Sequence, residues 1–271
     1  MALTFHHKPG LVVYLTAGDP SLAATLAIAL AAIDAGADVI ELGVPFSDPL
    51  ADGPVIQRAS ERAVAQGTRL VDVLKLAAEI RSARPAAGLV IFSYLNPILH
   101  YGLARFADAA KAAGVDGVLA IDMIVEEARE YLAEMSRVGL APIFLAAPTS
   151  PDARLKATAE NSKGFIYAIS RVGITGAQQS LTGDARALVQ RIRQFTRLPV
   201  AVGFGISNSE HVAEVAQFAD AAVIGSAIVH LIEKSSEEAA PREVARFIEG
   251  LELAPLGDGT GPEKAPLAAL Q

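Results

Sequence analysis

The feature that most restricts how this chain can fold is an alternation running its whole length: short apolar runs, each followed by a longer Ala-rich stretch with helical spacing. The strand-like runs lie near Leu11–Thr16, Val39–Gly43, Leu89–Tyr94, Gly117–Asp122, Pro142–Ala146, Gly164–Ser170, Val200–Gly205 and Ala221–Gly225. The helical stretches are Leu22–Ala35, Val55–Ala65 with Val71–Ala83, Leu103–Ala113, Glu126–Val138, Ala153–Asn161, Asp184–Phe195, Glu210–Phe218, and Val229–Glu233 followed by Arg242–Leu251. Gly36, Gly114 and Gly139 stand just past the last apolar position of three of them, the usual helix stop. Strands separated by helices in this way make βα units and a parallel sheet. Eight such pairs in 271 residues favour a single closed (β/α)8 TIM barrel over a doubly wound open sheet, with the helices outside. Residues 1–253 are read as that barrel domain and 254–271, with their Pro and Gly, as a disordered tail.

Composition narrows the function classes. Apolar residues make up 52% and charged residues 20% of the chain, which suits a large core. Charges interrupt every apolar run before it reaches the roughly 18 residues of a membrane span, and Met1–Gly10 lacks the apolar core of a secretory signal, so a cytoplasmic protein is expected. With no cysteine there is no disulfide, thiolate nucleophile or cysteine metal site. His6, His7, His100, His211 and His230 show no metal-ligand spacing. A net charge of −7 argues against broad nucleic-acid binding and requires that any phosphate be held by a local device.

In a barrel of this kind the chemistry collects where strands end and βα loops begin. The second apolar run is hydrophobic on both parities, as a strand buried on both faces must be, yet it carries Glu41. A carboxylate there either has a buried partner or is held for proton transfer, because desolvating it unpaired is costly. The loop that follows, stiffened by Pro45 and Pro49, brings two more acids, Asp48 and Asp52, before Gly53-Pro54 starts a helix. Tyr14, Tyr94 and Tyr167 close three strands, where core packing with a bonded hydroxyl and a site role fit equally well. Asp122 ends a fourth, placed either to cap the next helix or to face the site. Gly203-Phe204-Gly205 and Gly225-Ser226 follow the last two strands, where glycine turns and a helix N-terminus let backbone N–H groups approach a dianion. The segment 171–183 is long and glycine-flanked, as a lid or a disordered connection would be.

The run from Glu41 to Pro54, ELGVPFSDPLADGP, resembles the signature of the tryptophan synthase alpha subunit, a family of indole-3-glycerol-phosphate lyases. Thr16-Ala17-Gly18-Asp19-Pro20, Tyr94-Leu95-Asn96-Pro97 and Ser170-Arg171-Val172-Gly173-Ile174-Thr175-Gly176 extend the likeness over most of the chain. The resemblance implies that Glu41 is the acid/base catalyst and that Asp52 holds the indole nitrogen. It places Tyr14, Tyr94, Asp122, Tyr167 and Thr175 around the substrate, and Gly176, Phe204, Gly205, Gly225 and Ser226 around its phosphate. It further implies no cofactor in this chain and an alpha2-beta2 complex with a pyridoxal-phosphate beta subunit, faced by Pro45–Gly53 and the Asn96-Pro97 loop. Two departures stand out. The segment before the first strand is short, leaving the helix that covers the barrel bottom reduced to Leu3–His7 or absent, and Asp122-Met123-Ile124 replaces the family's Asp-Leu-Pro.

Overall fold

The computed structural model describes residues 3–169, 181–203 and 205–255. The strands in chain order are β1 (His7–Lys8), β2 (Gly10–Thr16), β3 (Val39–Gly43), β4 (Gly88–Ser93), β5 (Gly117–Ala120), β6 (Ala141–Ile143), β7 (Leu145–Ala146), β8 (Ile166–Ile169), β9 (Val200–Gly203), β10 (Ala221–Ile224) and β11 (Ala254–Pro255). Strands β2 to β10 form one parallel sheet in the order β6-β5-β4-β3-β2-β10-β9-β8-β7. Its two ends, β6 and β7, are consecutive pieces of a single chain segment interrupted at Phe144, whose carbonyl accepts from the Tyr167 amide at 3.1 Å. The sheet therefore meets itself and closes, and the expected run Pro142–Ala146 is one barrel strand with a break in it.

The helices are α1 (Leu22–Asp34), α2 (Pro54–Ala65), α3 (Leu70–Ala83), α4 (Leu95–Tyr101), α5 (Leu103–Ala112), α6 (Arg129–Val138), α7 (Asp152–Asn161), α8 (Leu181–Ile192), α9 (Ser209–Val215), α10 (Ser226–Lys234) and α11 (Ala240–Glu249). Alternation along each strand sorts side chains into two cores. Leu11, Val13, Ile40, Leu42, Leu89 and Ile91 pack outward against the helices. Val12, Tyr14, Val39, Val90, Phe92, Leu119 and Val223 fill the barrel interior.

The lower rim is held by a repeated device. Asp38, Asp116 and Asp220, each at the entry to a strand, reach back to the amides of Leu11, Leu89 and Val200 at 2.8, 3.0 and 2.7 Å, satisfying backbone donors on the neighbouring strand. Among the described residues the short N-terminal segment contains no helix. Leu3 plugs the bottom instead, in a hole lined by three glycines: a Cβ on Gly88, Gly117 or Gly164 would lie 3.1, 3.3 or 2.7 Å from its methyls. Of the expected tail, Ala254–Pro255 pairs antiparallel with His7–Lys8, while 256–271 lie outside the described residues. Among the described residues no helix is long and apolar enough to cross a membrane.

Candidate active site

Glu41 shares the inward parity of Val39 on β3, opposite Tyr14 on one neighbouring strand and Val90 on the other. It is fully buried, and neither carboxyl oxygen has a hydrogen-bond partner. Burial alone pushes its pKa up to about 8, so at neutral pH the carboxyl carries a proton. A buried, unsatisfied acid is an exception that calls for a cause, and a catalytic proton is one. The Tyr167 hydroxyl is also held well above its ordinary value, first by burial and then by the charge Glu41 would carry.

The loop after β3 is tied down from two sides. On one side, α2 supplies Ser60, whose hydroxyl accepts from the Phe46 amide at 2.8 Å and donates to the Phe46 carbonyl at 3.0 Å. Gln57 donates to the carbonyl of Asp52 at 2.8 Å. On the other side, the Tyr94 hydroxyl accepts from the Ala51 amide at 2.9 Å and donates to the Asp52 carboxylate at 3.0 Å, with its ring against Phe46 at 4.9 Å. Asp52 is consequently only 9% exposed. Burial raises its pKa to about 6 while the Tyr94 hydrogen bond pulls it down, leaving it anionic at neutral pH. Two acids eleven positions apart are thereby poised in opposite states.

Above Glu41 opens a cavity of about 710 Å³. Its walls are Tyr14, Phe92, Ile121, Leu145, Tyr167, Ile169 and Val223, apolar apart from the two hydroxyls, and Asp52 lies on its edge. Tyr14 stands edge-on to Phe92 with centroids 5.1 Å apart. The tyrosines fit because two glycines make room for them. A Cβ on Gly43 would fall 2.2 Å from the Tyr14 hydroxyl and one on Gly203 2.8 Å from that of Tyr167. Across the mouth, Gly205, Gly225 and Ser226 complete the lining. Gly205 adopts a left-handed φ of 61°, and Gly225-Ser226 is the start of α10, whose free backbone N–H groups and dipole favour an anion. Glu41 itself is not among the residues lining the cavity, but it stands in register with Tyr14, and burial raises, and its charge would raise further, the pKa of both Tyr14 and Tyr167, which do line it.

Of the residues expected at this site, Tyr14, Asp52, Tyr167, Gly205, Gly225 and Ser226 meet at the cavity, and Tyr94 acts on it through Asp52. Asp122 does not line it. Its carboxylate accepts from the Leu95 amide at 2.7 Å, capping the N-terminus of α4, a helix of the preceding βα unit and not of the following one. Thr175, Gly176 and Phe204 lie outside the described residues, as does most of the segment 171–183. Phe92, Ile121, Leu145, Ile169 and Val223 also line the cavity and carry no motif that marks them as site residues; inward parity near the strand ends is the signal that could have found them. Among the described residues no group of three His, Cys, Asp or Glu side chains could hold a metal ion.

The family model for the tryptophan synthase alpha chain matches residues 2–253. The tryptophan synthase alpha chain of Solibacter usitatus is 51% identical over 234 residues, covering 86% of this chain and 87% of the relative, and that of Geobacter sulfurreducens is 47% identical, covering 92% and 94%. Among solved structures, Mycobacterium tuberculosis tryptophan synthase superposes with a TM-score of 0.83 at 38% identity, covering 90% of this chain and 91% of that one. A mutant alpha subunit from Pyrococcus furiosus gives the same score and identity, covering 91% and 99%. A closed barrel, a protonated glutamate under an apolar cavity and an anionic aspartate at its rim thus coincide with a match over nearly the whole chain: it belongs to the tryptophan synthase alpha chain family, the lyases that cleave indole-3-glycerol phosphate to indole and glyceraldehyde 3-phosphate.

Proposed function

We propose that Glu41 performs both proton transfers of the lyase reaction and that Asp52 stabilises the charge that appears between them. The observation that carries this reading is the fully buried, unpartnered and protonated carboxyl of Glu41 under the cavity. The substrate's bicyclic ring occupies the apolar walls, and its phosphate meets Gly205, Gly225 and the N-terminus of α10, with Gly176 and Phe204 as further phosphate contacts and Thr175 as a further substrate contact. Glu41 gives its proton to indole C3, which leaves the ring nitrogen positively charged. The Asp52 carboxylate accepts the N–H and offsets that charge in a site where water cannot screen it. The Glu41 carboxylate then takes the proton of the glycerol hydroxyl as the C–C bond breaks. The bonding pair returns to the ring as neutral indole, the hydroxyl carbon leaves as an aldehyde, and Glu41 is protonated again. The phosphate takes no part in bond making and holds the reacting carbons in place.

In this reading the chain needs no cofactor of its own, resides in the cytoplasm, and passes indole to a pyridoxal-phosphate beta subunit in an alpha2-beta2 complex. Support for the partner comes from the loop face: Leu50 is 88%, Leu99 53% and Ile124 43% exposed, all large apolar residues beside the mouth loops. The tail 254–271 is assigned no part in the reaction.

The reading is tested by the pH dependence of kcat/KM for indole-3-glycerol phosphate. The active form pairs anionic Asp52 with neutral Glu41, so the profile should rise through about 6 and fall through about 8, as macroscopic values of the interacting pair. A profile flat from about pH 5 to 9 would contradict it.

A further inference from the structure

The cavity is bounded by the N-termini of two helices, α2 beside Asp52 and α10 at the phosphate cradle. Their far ends are locked together. In the last turn of α2 the Arg62 guanidinium grips Asp19 with two bonds of 2.8 Å and reaches Glu233, in the last turn of α10, with a third at 2.9 Å. Arg58, one turn earlier on α2, makes its own fork to the same Glu233 at 2.8 and 2.7 Å. Asp19, in the loop after β2, is only 4% exposed. None of these residues lines the cavity.

We infer that Arg62 and Glu233 are positioning residues for the lyase reaction: they fix the spacing between the acid loop and the phosphate cradle, and so tune the site to a ligand that spans both. This rests on the site reading above. The physical argument is one of rigid bodies. Helix α10, at about 1.5 Å per residue, is a rod of about 13 Å whose near end holds one end of the substrate, and α2 is a rod of about 18 Å whose near end follows Asp52. Removing the lock at their far ends frees one rod to pivot against the other. A ligand seated on only one rod is indifferent to the pivot, whereas a ligand bound at both ends feels it fully. Misplacement of about 1 Å is enough to cost up to 10²-fold in rate.

The test uses the full chain and three probes: indole, inorganic phosphate, and indole-3-propanol phosphate, which carries both ends but lacks the reacting hydroxyl. Glu233→Ala removes the α10 half of the lock while Arg62 keeps Asp19. Arg62→Lys keeps the charge on Asp19 but loses the planar fork, and serves if the first variant folds poorly. Calorimetric titration should show indole and phosphate binding within about twofold of wild type, indole-3-propanol phosphate weakened about tenfold, and kcat/KM for indole-3-glycerol phosphate lowered at least tenfold. A fall in Tm with unchanged binding of the spanning ligand overturns the inference, as does equal weakening of all three probes. If wild type itself fails to bind the spanning ligand, the site reading is what has failed.

Discussion

Glu41→Gln should abolish lyase turnover while leaving the substrate bound. Glutamine keeps the shape of the side chain but has no proton to give to C3 and no basic oxygen to take one from the hydroxyl. General acid–base catalysis contributes roughly 10²–10⁴-fold per group, and Glu41 acts twice, so steady-state indole release should drop at least about 10³-fold with KM little changed. Turnover within tenfold of wild type would remove Glu41 from the chemistry. The same substitution should show what the acid costs the fold. Its folded pKa of about 8 lies above the ordinary glutamate value of 4.5, so the stability tied to its protonated form is fully present below about 4.5 and is lost as pH rises through 8. Glutamine does not titrate. The variant should therefore gain stability relative to wild type between those two values, by on the order of a few kcal/mol, read by urea denaturation across pH.

Asp52→Asn should lower kcat by about 10²–10³-fold, comparable to deleting one electrostatic partner of a developing charge. The amide oxygen can still accept from the Tyr94 hydroxyl, so the loop should keep its place and KM should move little. A drop below tenfold in kcat would reduce Asp52 to a residue that merely holds the loop.

Much of this was legible in the chain. A carboxylate in an otherwise apolar strand has few meanings, and Glu41 has the burial its position demanded. The glycine turns at Gly205 and Gly225 followed from their place after the last two strands. What escaped depended on contacts distant in sequence. Asp52 looks solvated among prolines and glycines, and is buried because Tyr94, forty-two positions on, and Gln57 of α2 close over it. A loop is expected at Asn96-Pro97, yet α4 runs through it, since proline is tolerated in a helix's first turn. Asp122 supplies the cap for that helix, a pairing invisible without the neighbouring strand. The wall residues Ile121, Leu145 and Ile169 have the same chemistry as core residues one layer down. Only their height in the barrel separates the two. Leu3 fills the barrel bottom without any helix, because Gly88, Gly117 and Gly164 leave a hole of its shape.

The ionisation of one side chain decides the account. Carboxyl-labelled glutamate incorporated into the full chain, with the Glu41 signal assigned by its disappearance in Glu41→Gln, allows its titration to be followed by ¹³C NMR. A midpoint near 8 is the predicted result. A midpoint near 4.5, in a chain that still releases indole at full rate at pH 7, would contradict it.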